Sequence, residues 1–261
     1  MKKGTKIWLL VATALTLLGS MLFVGVMMAY GWDFSKLSTV RYETVTHDID
    51  REFQSISVET VTADIRLLPS EDGVCKVVCH QEEHAKHSVT VEDGVLRIVL
   101  EDDRAWYERV GIHFGESCVT VYLPEKEYRA LSVNVTTGDI LMGDLSAETV
   151  SLSVTTGDME LSDLACRTLT ANSTTGDVSL QNVIAAEKLF VKTTTGDVEL
   201  EACDGGEIAI HTTTGDVEGS LLTGKDFDAE TSTGDVRVPR DSHGGRCEIS
   251  TSTGDIEITI E

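Results

Sequence analysis

Basic residues are scarce in this chain: 21 Lys and Arg stand against 44 Asp and Glu, for a formal net charge of −23. A phosphate backbone is held by Lys and Arg, so this surface repels nucleic acid rather than binding it. Proline occurs three times and aromatics make up 5%. Gly-x-Ser-x-Gly, the Walker loop and His-Glu-x-x-His are all missing, which leaves the common hydrolytic and nucleotide-binding chemistries without support. Acids are absent from residues 1–32, and no cysteine precedes Cys75, which excludes a lipid-modified cysteine near the N-terminus. The charged fraction, 25%, is ordinary, so the acidity is not that of a disordered tail.

The acid-free N-terminus has a definite pattern. Lys2, Lys3 and Lys6 form a basic stretch over 1–6, and an uncharged apolar run follows over 7–30. At about 1.5 Å per residue such a helix reaches across a hydrocarbon core roughly 30 Å thick. Tyr30, Trp32 and Phe34 suit an aromatic interface belt. The rival reading is a cleaved signal peptide, whose apolar region is shorter and ends in a small-x-small site; Met27-Met28-Ala29 is a poor one. We expect a single-pass signal-anchor with its N-terminus cytoplasmic and residues 33–261 extracytoplasmic, in the cell membrane. That exported part carries 18 basic residues and all 44 acids, a formal charge of −26. Residues 31–52 read as a juxtamembrane linker.

The rest of the chain is dominated by repetition. Thr-Gly-Asp recurs with its Gly at 138, 157, 176, 196, 215, 234 and 254, a spacing of 19 or 20 residues. Apolar residues stand at fixed offsets from each Gly: seven before (Leu131, Val150, Leu169), five before (Val133, Leu152, Ala171), two after (Ile140, Met159, Val178) and four after (Met142, Leu161, Leu180). The period inside each block is two, which predicts short strands and no helix. The fold class expected is therefore all-β, a parallel β-solenoid (β-helix) of 19–20-residue coils, each stacked on the coil before it, behind one transmembrane helix. The regular coils cover 131–261. A degenerate coil, Ile56 to Leu67 with Ala63 in place of Gly, places the start of the N-terminal β region at 53, and the rest of 53–130 is expected to act partly as a cap. Val89–Val91 and Val95–Leu100, joined by Glu92-Asp93-Gly94, predict a hairpin.

Several residue sets could carry chemistry. Asp139, Asp158, Asp177, Asp197, Asp216, Asp235 and Asp255 would form one column. Its carboxylates could cap turn N–H groups, or could hold calcium, since hard cations favour clustered carboxylate oxygens. Cys75, Cys79, His80, His84 and His87 have residue types suited to zinc, although Cys75, Val77 and Cys79 alternate on one strand face as buried apolar residues would. Cys118 could reach Cys75 or Cys79 across strands. Parity directs Thr193/Thr195, Thr212/Thr214, Thr231/Thr233 and Thr251/Thr253 inward, leaving one outward column of Thr and Ser. Trp106, Tyr107, His113 and Phe114 are the aromatic cluster outside the membrane segment. The acids recur identically in every coil, whereas a catalytic pair breaks symmetry at one place, so no enzyme is expected; a glycan-active β-helix is the alternative, and a calcium-binding surface module another.

Val119-Thr-Val-Tyr-Leu-Pro124, Leu131-Ser-Val-Asn-Val-Thr-Thr-Gly-Asp-Ile140 and the repeated Thr-Thr-Gly-Asp-Val resemble the bacterial putative-adhesin family over about residues 50–261. The resemblance implies a β-solenoid domain of unknown function, often membrane-anchored and encoded near envelope-stress systems in Gram-positive bacteria. It carries over no catalytic residues and no cofactor. The role it implies is adhesion, envelope scaffolding or an accessory step in stress sensing, with the membrane and an envelope protein or glycan as partners.

Overall fold

The computed structural model describes residues 3–29, 31–32, 41–102, 117–240 and 243–261. Trp106, Tyr107, His113 and Phe114, and Tyr30 and Phe34 of the aromatic belt, lie outside the described residues. The chain divides into two units: Met1–Arg41 with Arg104–Gly115, and Tyr42–Asp103 with Glu116–Glu261. Among the described residues the first contains one helix, α1 (Lys3–Ala29), whose stretch Trp8–Ala29 is long and apolar enough to cross a membrane. That stretch carries no charged side chain, and the hydroxyls of Thr13 and Thr16 donate to the carbonyls of Leu9 and Ala12.

The second unit is all-β. Its first strands are β1 (Tyr42–Ile49), β2 (Ser55–Thr62), β3 (Asp64–Pro69), β4 (Cys75–Glu82), β5 (Ala85–Glu92), β6 (Val95–Asp102) and β7 (Cys118–Leu123). The long strands of the repeats follow: β8 (Glu127–Thr137), β9 (Ile140–Thr156), β10 (Met159–Thr175), β11 (Val178–Lys192) and β12 (Val198–His211). The C-terminal strands are β13 (Val217–Leu221), β14 (Lys225–Thr233), β15 (Val236–Arg237), β16 (Gly245–Thr253) and β17 (Ile256–Ile260).

Two pairing regimes coexist. From β8 to β12 every ladder is parallel and offset by one repeat: Leu131 faces Val150, Val150 faces Leu169, Leu169 faces Leu189 and Leu189 faces Ile208. Equivalent apolar residues therefore stack into columns, which belong to one buried core running from Phe53 to Ile258. The longer repeat before Gly196 is absorbed in a bulge, where Arg167 faces both Ala186 and Glu187. At the N-terminal side the pairing turns antiparallel: β5 with β6 as a hairpin through Asp93 and Gly94, both at positive φ, and β4 with β1 and β7. Residues 31–52 are therefore not simply a linker; they hold β1, which pairs with β4 along all eight of its residues.

The stack does not follow chain order at either end, which corrects the expectation that each coil rests on its predecessor. The Ile56 coil lies between β6/β7 and β8/β9: β2 pairs with both β6 and β8, and β3 with both β7 and β9. At the other end β12 pairs with β16, β13 pairs with β17, and β14 pairs with β16 from the far side. The C-terminal coil, Gly245–Ile260, is thus inserted between the Gly215 coil and the Gly234 coil, and the Gly234 coil is outermost. Lys225, 4% exposed, ties this arrangement together. From the outermost coil its Nζ reaches past Gly245, which faces it in the ladder, to Asp204 Oδ1 at 2.5 Å and the Gly205 carbonyl at 2.9 Å in the Gly215 coil. A side chain at 245 would meet the Gly206 carbonyl, so glycine is what lets the inserted strand pass there.

Candidate functional site: the Thr-Thr-Gly-Asp corner face

The repeated tetrapeptide is a corner, and backbone contact explains its glycine. The seven Gly residues take φ between +135° and +147°, where a Cβ is disfavoured. At Gly176 an added Cβ would sit 2.0 Å from the Gly157 carbonyl oxygen, so the corners nest backbone to backbone. Ala63 heads the column, with Ser117 rather than another corner glycine on its far side: the Asp64 N–H donates to the Ser117 carbonyl at 2.9 Å. That position accepts a methyl group, which accounts for the degenerate copy.

The aspartates make one continuous hydrogen-bond ladder. The Asp139 backbone N–H donates to Asp64 Oδ1 at 3.1 Å, Asp158 to Asp139 at 2.8 Å, Asp177 to Asp158 at 2.8 Å and Asp197 to Asp177 at 2.8 Å. It continues from Asp216 to Asp197 at 2.7 Å, Asp255 to Asp216 at 2.7 Å and Asp235 to Asp255 at 2.8 Å. The order 216, 255, 235 follows the inserted coil. Like charges one strand spacing apart repel, by about 1 kcal/mol per pair near 4–5 Å in water. Each rung offsets this with a charge-assisted hydrogen bond, which contributes about 1.5–3 kcal/mol when well formed.

Beside the ladder run two hydroxyl columns. Thr136/Thr137, Thr155/Thr156, Thr174/Thr175, Thr194/Thr195, Thr213/Thr214, Ser232/Thr233 and Ser252/Thr253 are all exposed. This corrects the parity reading for Thr195, Thr214, Thr233 and Thr253. The chain turns at the corner, so period-two alternation stops one residue early. Thr193, Thr212 and Thr251 do point inward and are buried, and Thr231 is half-buried. Thr212, Thr231 and Thr251 donate to the carbonyls of Gly196, Gly254 and Gly215, while the hydroxyls of Ser173 and Thr193 are buried without a partner. The residues of a second corner were not identified from sequence: Asp144, Asp163, Asn182 and Ala202, six residues after successive glycines, all take φ of 50–53°. Asp and Asn tolerate that conformation, so the recurrence of Asp, Asp, Asn at one offset was the available signal.

The Cys and His cluster is spread apart by the fold. Cys75 and Cys79 face the core on β4, and burial pushes both thiols up to about 11. His80 lies on the opposite face, its Nδ1 3.0 Å from Thr44 Oγ1 and its ring stacked on Tyr42 at 5.5 Å. His84 is on the exposed β4–β5 turn. His87 is buried and held neutral, its pKa lowered by burial to about 4. Its Nδ1 donates to Gln81 Oε1 at 3.1 Å, so Nε2 accepts from Thr60 Oγ1 at 3.0 Å. Cys118 is on the outer face, its Sγ 3.7 Å from Thr120 Oγ1, while its strand neighbour Val119 is the residue that pairs with Cys79; it does not bridge to Cys75 or Cys79. Among the described residues no group of three or more His, Cys, Asp or Glu is arranged to hold a metal ion.

The sequence matches the Toastrack DUF4097 family over residues 53–261. Among curated proteins, none matches the chain. Solved structures similar to it include a putative cell adhesion protein from Clostridium sporogenes, 11% identical with a TM-score of 0.37, covering 85% of this chain and 100% of that one. A putative adhesin from Bacteroides fragilis is 18% identical with a TM-score of 0.45, covering 83% of this chain and 97% of that one. A putative lipid binding protein from Parabacteroides distasonis is 11% identical with a TM-score of 0.48, covering 85% of this chain and 98% of that one.

Proposed function

The chain belongs to the Toastrack DUF4097 family, and on that premise we propose that it is a membrane-anchored envelope protein whose second unit is an extracytoplasmic parallel β-solenoid serving as a non-enzymatic adhesion or scaffold surface. The observation that carries this reading is the corner face: the same Thr-Thr-Gly-Asp group repeated along one side of the stack, with its carboxylates engaged in a ladder. Repetition of one polar group at about 4.8 Å suits many weak, equivalent contacts with an extended partner. Catalysis asks for a nucleophile or an acid–base pair with distinct environments, and equal rungs supply none. The basic residues before α1 support a cytoplasmic N-terminus, and the charge of −26 on the rest supports an exported unit that stands off an anionic bilayer.

The test uses the full chain in cells. Protease shaving of intact cells should cleave the β unit and leave the N-terminal helix in the membrane. Cross-linking through cysteines placed at Thr155 and Thr194 should capture an envelope component, and a panel of cell-wall polysaccharides should show retention without cleavage. Release of reducing ends from any of them, or protection of the β unit in intact cells, would contradict the reading.

A further inference from the structure

Among the described residues the outermost coil leaves the stack open. β14 pairs with β16 alone among the described residues, so from Asp226 to Thr233 no described strand pairs with its other edge. Each core column also loses its cover there. Leu189, Ile208 and Cys247 are fully buried, whereas Phe227 in the same column is only partly so; Val217 and Ile256 are fully buried, whereas Val236 is 39% exposed. Edge strands that resist pairing are short, bulged, broken by proline, covered, or charged, whether inward or along the edge. β14 is nine residues long and contains no proline. Its one inward charge, Lys225, is turned back into the stack onto Asp204.

What β14 has instead is a one-sided charge pattern. Phe227 and Ala229 face the core side, and Asp226, Asp228 and Glu230 are exposed on the outer face. Asp226 also meets His243 Nδ1 at 3.5 Å. A second copy pairing antiparallel on this edge would set acid against acid, which is destabilising. A strand of the opposite polarity would place its basic side chains beside these acids and its apolar ones over Phe227 and Ala229.

We propose that the free edge of β14 is a docking site for an extended peptide segment with alternating basic and apolar residues, added as one further strand to the stack. Recognition then rests on main-chain hydrogen bonds for affinity and on Asp228 and Glu230 for choice of partner. This goes beyond the adhesive reading of the corner face and uses a different surface.

The experiment takes the full chain in detergent micelles and a labelled acetyl-(Lys-Val)4-amide peptide, with the (Glu-Val)4 peptide as control, followed by fluorescence anisotropy and hydrogen exchange. The basic peptide should bind at least tenfold more tightly than the acidic one and slow exchange of the β14 amides. The double variant D228K/E230K should reverse the preference, whereas E160K/E199K, the same charge change far from the edge, should leave it within twofold. Equal loss in both variants means general attraction to an acidic protein and overturns the proposal. So does protection elsewhere than β14, or self-association of the chain through this edge. The exchange measurement on the unaltered chain decides the matter even if a variant misfolds.

Discussion

A carboxylate in each corner is an acceptor before it is a charge. Asp177 Oδ1 takes the Asp197 N–H, and its own N–H goes to Asp158. Asp177→Asn keeps an acceptor oxygen and removes one repelling charge, so its stability in urea should fall within about 0.5 kcal/mol of the parent. Asp177→Ala leaves the Asp197 N–H to water and should cost about 1–2 kcal/mol. If both variants lose the same amount, the ladder is not what holds the corner. The inward column three residues before each Gly offers the opposite case. Val135 and Val154 fill it early in the stack, and Thr193 occupies it 1% exposed with its hydroxyl unpartnered. Thr193→Val should raise stability by about 1 kcal/mol, seen as a higher urea midpoint at unchanged slope. Ala202 at φ 51° follows Asp and Asn at the second corner. Ala202→Gly removes a Cβ strained there by about 1 kcal/mol and should raise Tm by a few degrees.

At the scale of strands, β5 buries a titratable group that the hairpin cannot expose. His87 is neutral with a folded pKa of about 4 against an ordinary 6.5, so the unfolded chain takes up the proton first. The stability it contributes is complete above pH 6.5 and is lost as pH falls from there towards 4. The slope is on the order of 1.4 kcal/mol per pH unit within that window. Urea denaturation at successive pH values should show this loss, and His87→Gln should flatten it; an unchanged slope in the variant would remove His87 as the cause. The period-two pattern of the strands after β1 was legible because all of them but the two-residue β15 bury one face, and the hairpin through Asp93 and Gly94 because its turn chemistry is local. β1 was not. Tyr42–Ile49 alternates polar and half-buried residues against β4 only, so its hydrophobic signal is weak, and it follows a membrane segment where a linker is the simpler reading.

For the β unit as a whole, the inserted C-terminal coil makes a sharp prediction. Deleting 245–261 removes the only ladder partner that β14 has among the described residues. Backbone amides of 225–237 should then exchange as in an unfolded chain, while those of β8 to β11 keep their protection. If 225–237 stays protected, the Gly234 coil has moved onto the Gly215 coil in chain order, and the insertion contributes little to the stack.

The amino-acid sequence by itself determined the apolar helix, the position of all seven corners and the apolar columns of the repeats, because each of these follows from charge, spacing and parity along a short stretch. It also held the reason for the glycine column, since only a residue without a Cβ repeats at a bend that tight. Which coil rests on which was decided by the tertiary structure alone. The coils present nearly identical edges, so any two can pair, and local pattern is the same for every order. Side chains that act across a gap distinguish one stacking from another: Lys225 reaches over Gly245 to Asp204, a contact that fits the inserted C-terminal coil and with it the edge that β14 leaves open.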